Sequence, residues 1–396
     1  MPRDLGPDLT EDVRDGPPPP LDGFAMLPVY VESAYDGGRF AGWVPSVPGV
    51  LAVADTHTRA ISLATTNAAR VRGWLEAHGD DAPIPRIWRA ELAADVEATT
   101  NRDGYEVNAT LPTDRRAVTE GEVATAVRRL AWARDDLLDV ADRVAAFEAA
   151  HGALPTDESR GERAPSEVLR HVAGSEVWLV GRLPEGGRYD GPMDDVPVRD
   201  ALAGSRGWAV KRLESLGASD DGTEITDRHR ETWTLAKVLR RIEAHGFDHL
   251  WELERRLMRA DGTRDRVEVR VDRVPDTGQV VGLLRAVGWD LRASEPASLE
   301  KALRGTTEFA SAWDGDRLVG TARSITDGAQ NALIATVVVD PAYQGLGVGE
   351  RMMHLLTDGR DLVRFHLAAT PGLEGWYRKL GFLPDSHALF RPRRRG

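Results

Sequence analysis

The spacing of apolar residues changes character twice along this chain. From Met26 to Val44 apolar and polar positions alternate, broken at Asp36-Gly37-Gly38. Period two around a glycine turn predicts a hairpin. Val50–Ala54 adds a third short strand, and Ile61, Leu63, Ala64, Ala68, Val71, Trp74 and Leu75 recur at helical spacing behind a cap at Asp55 or Thr56. Ile87–Ala98 and Tyr105–Leu111 read as extended. After Pro112-Thr113-Asp114 the period moves to near 3.6, predicting helices over Glu120–Phe147, Pro165–Leu183 and Val198–Leu216, and a fourth from Thr232 to Leu257. Four helices with long connections predict a bundle.

Alternation returns at Arg266–Val274. A helix capped by Asp276 or Thr277 follows, then a second over Ala297–Leu303. Thr307–Trp313, Arg317–Thr326 and Asn331–Val339 read as three strands joined by Asp-Gly turns, and a helix starts at Val348. Strand Val363–Ala369, helix Leu373–Leu380 and strand Phe382–Arg391 complete the pattern. The expected organisation is multidomain α+β: a lead-in over 1–21, a small α/β domain over 22–114, a helical bundle over 115–262 and a second α/β domain over 264–396.

Composition narrows the functional classes. With 396 residues, 41% hydrophobic, two or three domains can each bury a core. The acidic lead-in ends in Pro17–Pro20 and cannot bury enough apolar surface to order itself. Zero cysteines exclude disulfides, thiolate metal sites and a cysteine acyl-enzyme. A formal charge of −12 argues against a nucleic-acid surface, and Arg391–Arg395 reads as a solvated terminus. No basic segment leads into an apolar core at the start, and no apolar stretch approaches the ~20 residues of a membrane helix. A cytoplasmic address is expected; oligomerisation is left open.

The chemistry concentrates in Ala335-Thr336-Val337-Val338-Val339-Asp340-Pro341-Ala342-Tyr343-Gln344-Gly345-Leu346-Gly347-Val348-Gly349-Glu350. A β-branched run ends at Asp-Pro, and a glycine-rich turn opens a helix. Glycines bare the backbone amides there, and the helix aims its positive end at the turn, which makes an anion cradle. The spacing is not that of the dinucleotide fingerprint, and no Gly-Lys-Ser/Thr is present for a triphosphate loop. Gln344-x-x-Gly347-x-Gly349 after a strand, with Tyr377-Arg378-Lys379-Leu380-Gly381-Phe382 further on, resembles the GNAT N-acetyltransferases. That resemblance implies a central mixed, mostly antiparallel sheet and acetyl-CoA as co-substrate. Amides from Gln344, Gly345, Leu346, Gly347, Val348 and Gly349 would hold the CoA pyrophosphate. Carbonyls of Val337, Val338 and Val339 would pair with the pantetheine arm. Tyr377 would protonate the leaving thiolate. The acceptor is an amine, on a small molecule or a protein. Glu308, Asp327 and His366 are candidate bases, with a water chain as the alternative.

His245 and His249 lie four apart on one helix face, and His171 stands on the second bundle helix. Three imidazoles there can hold one divalent metal, with an exposed pair and an unrelated third residue as the alternative. With Glu231-Thr232-Trp233-Thr234-Leu235 before them and Trp178 after His171, they resemble the DinB-like metal-binding bundles, which implies a divalent metal on His171, His245 and His249; imidazole ligands suit zinc, nickel or iron, with zinc or nickel the expectation. Gly42-Trp43-Val44-Pro45-Ser46-Val47-Pro48-Gly49, with Ala54-Asp55-Thr56 and the following helix, resembles the HicB-like antitoxin fold. The leading function is acetyl transfer to an amine. The rivals are a metal-dependent thiol transferase in the bundle and a ligand-sensing or antitoxin-type interaction protein.

Overall fold

Strand β1 (Ala25–Tyr35) turns back through Asp36–Gly38 into β2 (Arg39–Trp43), followed by β3 (Leu51–Ala54), helix α1 (His57–Ala77) and β4 (Trp88–Glu97). In this computed structural model the described residues are 25–385, apart from 83, 86, 87, 103, 158–160 and 184–186. The lead-in over 1–21, the arginine-rich tail and the end of the expected strand Phe382–Arg391 lie outside them. The first sheet has the order β3-β2-β1-β4, with β1 and β4 parallel and the other pairs antiparallel. Thr56 caps α1 by accepting from the Arg59 amide. The helix lies so close to β2 that a Cβ on Gly42 would stand 2.7 Å from the Ala60 carbonyl oxygen. Tyr105–Leu111 is not the expected strand. Only β6 (Glu106–Val107) pairs, with β5 (Thr99–Thr100), and the Ala109 amide instead donates to buried Glu32.

Helices α2 (Glu120–His151), α3 (Pro165–Val180), α4 (Val198–Gly217) and α5 (Leu235–Ala260) follow, with a small ladder of β7 (Ile225–Thr226) and β8 (Thr232–Trp233) before α5. Thr232 and Trp233 therefore belong to a strand, and Thr234 caps the last helix. The expectation of independent cores changes here. Leu27, Val29 and Val71 of the first sheet and α1 share one buried cluster with Leu137, Val140, Phe247 and Leu250 of the bundle. A Cβ on Gly49 would meet the Phe247 ring at 2.3 Å, so the loop after β2 seats directly on α5.

The remaining elements are α6 (Thr263–Arg266), β9 (Glu268–Arg270), α7 (Thr277–Ala286), α8 (Asp290–Ala293), α9 (Pro296–Arg304), β10 (Glu308–Asp314), β11 (Arg317–Thr326), β12 (Asn331–Val339), α10 (Val348–Thr357), β13 (Arg364–His366) and α11 (Glu374–Lys379). Their sheet runs β13-β12-β11-β10-β9, and only β12 and β13 are parallel. Three edges differ from expectation. Thr263–Arg266 forms a helical turn behind Gly262 at φ +78°, which shortens the strand read over Arg266–Val274. The strand read over Val363–Ala369 is three residues, and residues 382–385 form no strand.

Helix α1 docks on this third unit as well. Gly288 and Gly372, both at positive φ (+78° and +83°), lie beneath it, and Cβ atoms there would stand 3.2 Å from the Thr65 carbonyl oxygen and 2.7 Å from the Arg59 Cα. Arg72 of α1 donates two hydrogen bonds, at 2.9 and 3.1 Å, to the carboxylate of Asp290. Both side chains are buried. Removing one partner of such a pair costs about 3–5 kcal/mol, because the other charge stays buried and alone.

Glu243 marks the seam between the first unit and the bundle. It lines a cavity of about 760 Å³ with Arg129 and Arg240, and its Oε1 has no partner among the described residues. Burial pushes its carboxyl up to about 7, with Arg129 opposing and Asp80 reinforcing the rise. A raised carboxyl pKa means the folded state holds its proton longer than the unfolded one, so stability falls as pH climbs from the ordinary 4.5 to about 7. Glu243→Gln should therefore raise the unfolding free energy at pH 8 by on the order of 2 kcal/mol relative to its effect at pH 4. Urea denaturation at the two pH values checks this; equal effects at both would show that the fold does not raise the Glu243 carboxyl.

Candidate active site

The site begins with an irregularity in β12. Thr321 of β11 faces Val338 and Arg323 faces Ala335, so Thr336 and Val337 together oppose Ala322. Thr336 takes φ +55°, in the left-handed region that costs a β-branched residue on the order of 1 kcal/mol. Arg323 Nε donates to its hydroxyl at 2.9 Å and fixes the bulge. On its other side β12 pairs with β13 only over Asn331–Leu333. Beyond Leu333 no strand among the described residues covers that edge. A chain-like ligand can therefore lie along Ala335–Val339 and take main-chain hydrogen bonds.

The strand ends at Asp340, whose carboxylate accepts from the Ala342 amide and pairs with Arg317 at 2.8 Å. A short 3-10 turn over Pro341–Tyr343 follows. Buried Tyr343 donates to Asp314 Oδ2 at 2.8 Å. Burial and then this bond push its phenol up to about 12, so Tyr343 is a strut beneath the turn. Gly345 and Gly347 both have positive φ (+81° and +76°), and Gly347 is the N-cap of α10. No side chain caps this helix, and the amides of Gly345 and Leu346 donate to nothing among the described residues. The anion cradle expected from the glycines is thus present as geometry. Arg264 adds a cation there: its guanidinium lies within 4 Å of where a Gly347 Cβ would stand. Gly349 leaves room between Trp376 and Val339, at 3.4 and 3.6 Å from its absent Cβ.

One expected contact is redirected. Gln344 turns its side chain back and donates from Nε2 to the Val339 carbonyl at 3.1 Å, so this carbonyl is already engaged and the free edge is centred earlier in the strand.

Val337, Val338, Val339, Gln344, Gly345, Gly347, Val348, Gly349 and Tyr377 line one groove of about 930 Å³. Leu346 instead turns into the core beneath α10. Tyr377 is 7% exposed and packs against Ile334 and Met353 while its ring borders the groove. Burial raises its phenol above the ordinary value, so it stays protonated at neutral pH and can act as a donor. The candidate bases do not reach this groove. Glu308 pairs with Arg360, His366 is exposed on β13, and Asp327 accepts from three backbone amides that hold it down at about 2. Glu350 on α10 is the carboxylate that does line it. The opposite wall, from Thr58 to Thr66 of α1, could not be found from sequence, because nothing in the α1 pattern signals a neighbour more than 200 residues away.

A second constellation lies in the bundle. His171 of α3 and His245 and His249 of α5 offer nitrogens all within 4.8 Å of one another. His245 Nε2 and His171 Nε2 are 3.1 Å apart. Burial lowers His171 to about 4 and His245 well below its ordinary value, so both are neutral ligands at pH 7. Glu252 Oε2 lies 2.9 Å from His249 Nδ1, which leaves Nε2 of that ring for a cation. No helix among the described residues is long and apolar enough to cross a membrane.

Comparison with known proteins bears on the first site. Residues 305–384 match the family model for the acetyltransferase (GNAT) domain. The chain is 32% identical over 143 residues to an uncharacterised N-acetyltransferase of Porphyra purpurea, covering 33% of this chain and 81% of that protein. It is 37% identical over 124 residues to the chloroplastic serotonin N-acetyltransferase 2 of Oryza sativa subsp. japonica, covering 28% of this chain and 61% of that one. A solved GNAT-family acetyltransferase of Streptococcus pneumoniae is 27% identical, covers 33% of this chain and 99% of its own, and gives a TM-score of 0.29. The chain spans about half to three-fifths of its plant relatives. The cradle, the opened strand and Tyr377 all fall inside the matched region, and through it the chain belongs to the GNAT acetyltransferases and is an acyltransferase.

Proposed function

We propose that the chain transfers an acetyl group from acetyl-CoA to an amine. The observation that carries this reading is the unpaired edge of β12 running straight into the uncapped start of α10. An extended arm lies along such an edge by main-chain hydrogen bonds, and its pyrophosphate ends on the amides of Gly345 to Gly349, with Arg264 beside them. The amine attacks the thioester carbonyl and forms the C–N bond, its surplus proton passes to water, and the tetrahedral intermediate collapses with loss of the C–S bond as the thiolate leaves. Tyr377 is the proton donor the groove offers to that thiolate. The acceptor is a small-molecule amine or a protein amine.

Isothermal titration with acetyl-CoA tests the reading. Gly349 has ordinary helical φ, so a side chain is tolerated by the backbone, and Gly349→Asp places a negative charge in the cradle. Its dissociation constant for acetyl-CoA should rise more than about tenfold. Unchanged affinity would mean that the cradle is not the phosphate site. For Tyr377→Phe, the expectation is a fall in kcat of about a hundredfold with little change in KM for acetyl-CoA; an unaltered kcat removes the tyrosine from the chemistry.

A second reading concerns the bundle. The convergence of three imidazoles, two of them held neutral by burial, supports a divalent metal, zinc or nickel, held by His171, His245 and His249, with Glu252 orienting His249. When bound, such an ion supplies a Lewis acid with coordination positions left for water or a thiol. Metal analysis of the purified protein should give a stoichiometric divalent ion that His245→Ala/His249→Ala lacks. Equal content in the two proteins would assign the histidines to packing alone.

A further inference from the structure

The groove has a charged residue that the acetyltransferase reading leaves unused. Arg59 stands one turn into α1, on the wall facing the cradle, with its Cα pressed onto Gly372. Other arginines of this helix are spoken for: Arg70 pairs with Glu254 at 3.0 Å and Arg72 with Asp290. Among the described residues the Arg59 guanidinium has neither an ion-pair nor a hydrogen-bond partner. It is half-buried, and the burial that lowers its pKa is offset by no neighbouring carboxylate. Taking a cation partly out of water with nothing to pair it is unfavourable unless a ligand completes the site. The position is reinforced from below, since Gly372 admits α1 at a distance a Cβ would forbid and Gly288 at one where a Cβ would be tight.

We propose that Arg59 binds an anionic group of a ligand in this groove, so that helix α1 of the N-terminal unit supplies part of the transferase site. The inference rests on the acetyltransferase reading of the same groove. Two ligands could bring the anion: CoA, through a phosphate, or the acceptor, through a carboxylate set apart from its amine. Thr58 and Ser62 on the same wall offer hydroxyls beside either one.

The experiment uses the full chain and the variants Arg59→Gln and Arg59→Lys. Because Arg59 pairs with nothing in the fold, both variants should melt with the wild type. Calorimetry gives the affinity for CoA and for dephospho-CoA. If Arg59 holds a CoA phosphate, Arg59→Gln weakens CoA by about tenfold or more and Arg59→Lys restores part of it. A loss confined to CoA and absent with dephospho-CoA assigns the 3′-phosphate; an equal loss with both assigns the pyrophosphate. If Arg59 holds an acceptor carboxylate, CoA affinity is unchanged. In that case thiol release from acetyl-CoA with lysine falls about tenfold relative to release with 1,5-diaminopentane, its decarboxylated counterpart. Unchanged CoA affinity, with the lysine-to-diamine ratio also unchanged or with neither amine supporting release, overturns the inference. Failure of the wild type to bind CoA at all overturns the acetyltransferase reading instead.

Discussion

The third unit depends on one misfit between two strands. Inserting an extra residue at Thr336 and Val337 lets β12 keep its ladder with β11 while turning its far end away from β13. The strain is modest, and Arg323 secures it with a single hydrogen bond to a threonine placed where glycine would be easier. The opened edge then points at the glycine turn, and the helix start supplies charge that no side chain cancels.

A different constraint governs how the units meet. Helix α1 shares a core with the bundle on one side and presses its backbone onto two positive-φ glycines of the acetyltransferase unit on the other. It is therefore held from both directions. Ion pairs at these seams, such as Arg72–Asp290 and Arg70–Glu254, add little net stability over apolar contacts of the same shape. Their effect is on geometry, since a shift that moved the Arg72 guanidinium off Asp290 would leave both charges buried and unpaired.

Local signals in the chain announced the elements well and their meeting poorly. β11 and β12 span the residues that alternation marks, and the helices of the bundle start within a few residues of their predicted starts. The glycines of the cradle were legible because positive φ and an amide-lined turn leave a compositional trace. His245 and His249 share a face because a helix places i and i+4 together, which spacing reveals, whereas the arrival of His171 from α3 is a tertiary fact that only the family resemblance anticipated. Thr336 gave no warning, since a bulge on a β-branched residue looks like uninterrupted strand. Nor did Gln344 announce that its side chain would turn back onto Val339. The candidate bases failed for a related reason: Asp327 is a carboxylate bound by its own turn, and sequence cannot tell such a residue from one facing a ligand.

The groove itself is the feature that no single unit's pattern contains. Its floor belongs to a strand, its anion site to a helix start, and its far wall to a helix from the opposite end of the chain. Without α1 this side of the groove would be open to solvent. Here α1 covers it with hydroxyls and one unpaired guanidinium, fixed by contacts too close for any side chain larger than hydrogen at Gly372. A ligand in the groove therefore meets residues outside the matched region 305–384 as well as those inside it.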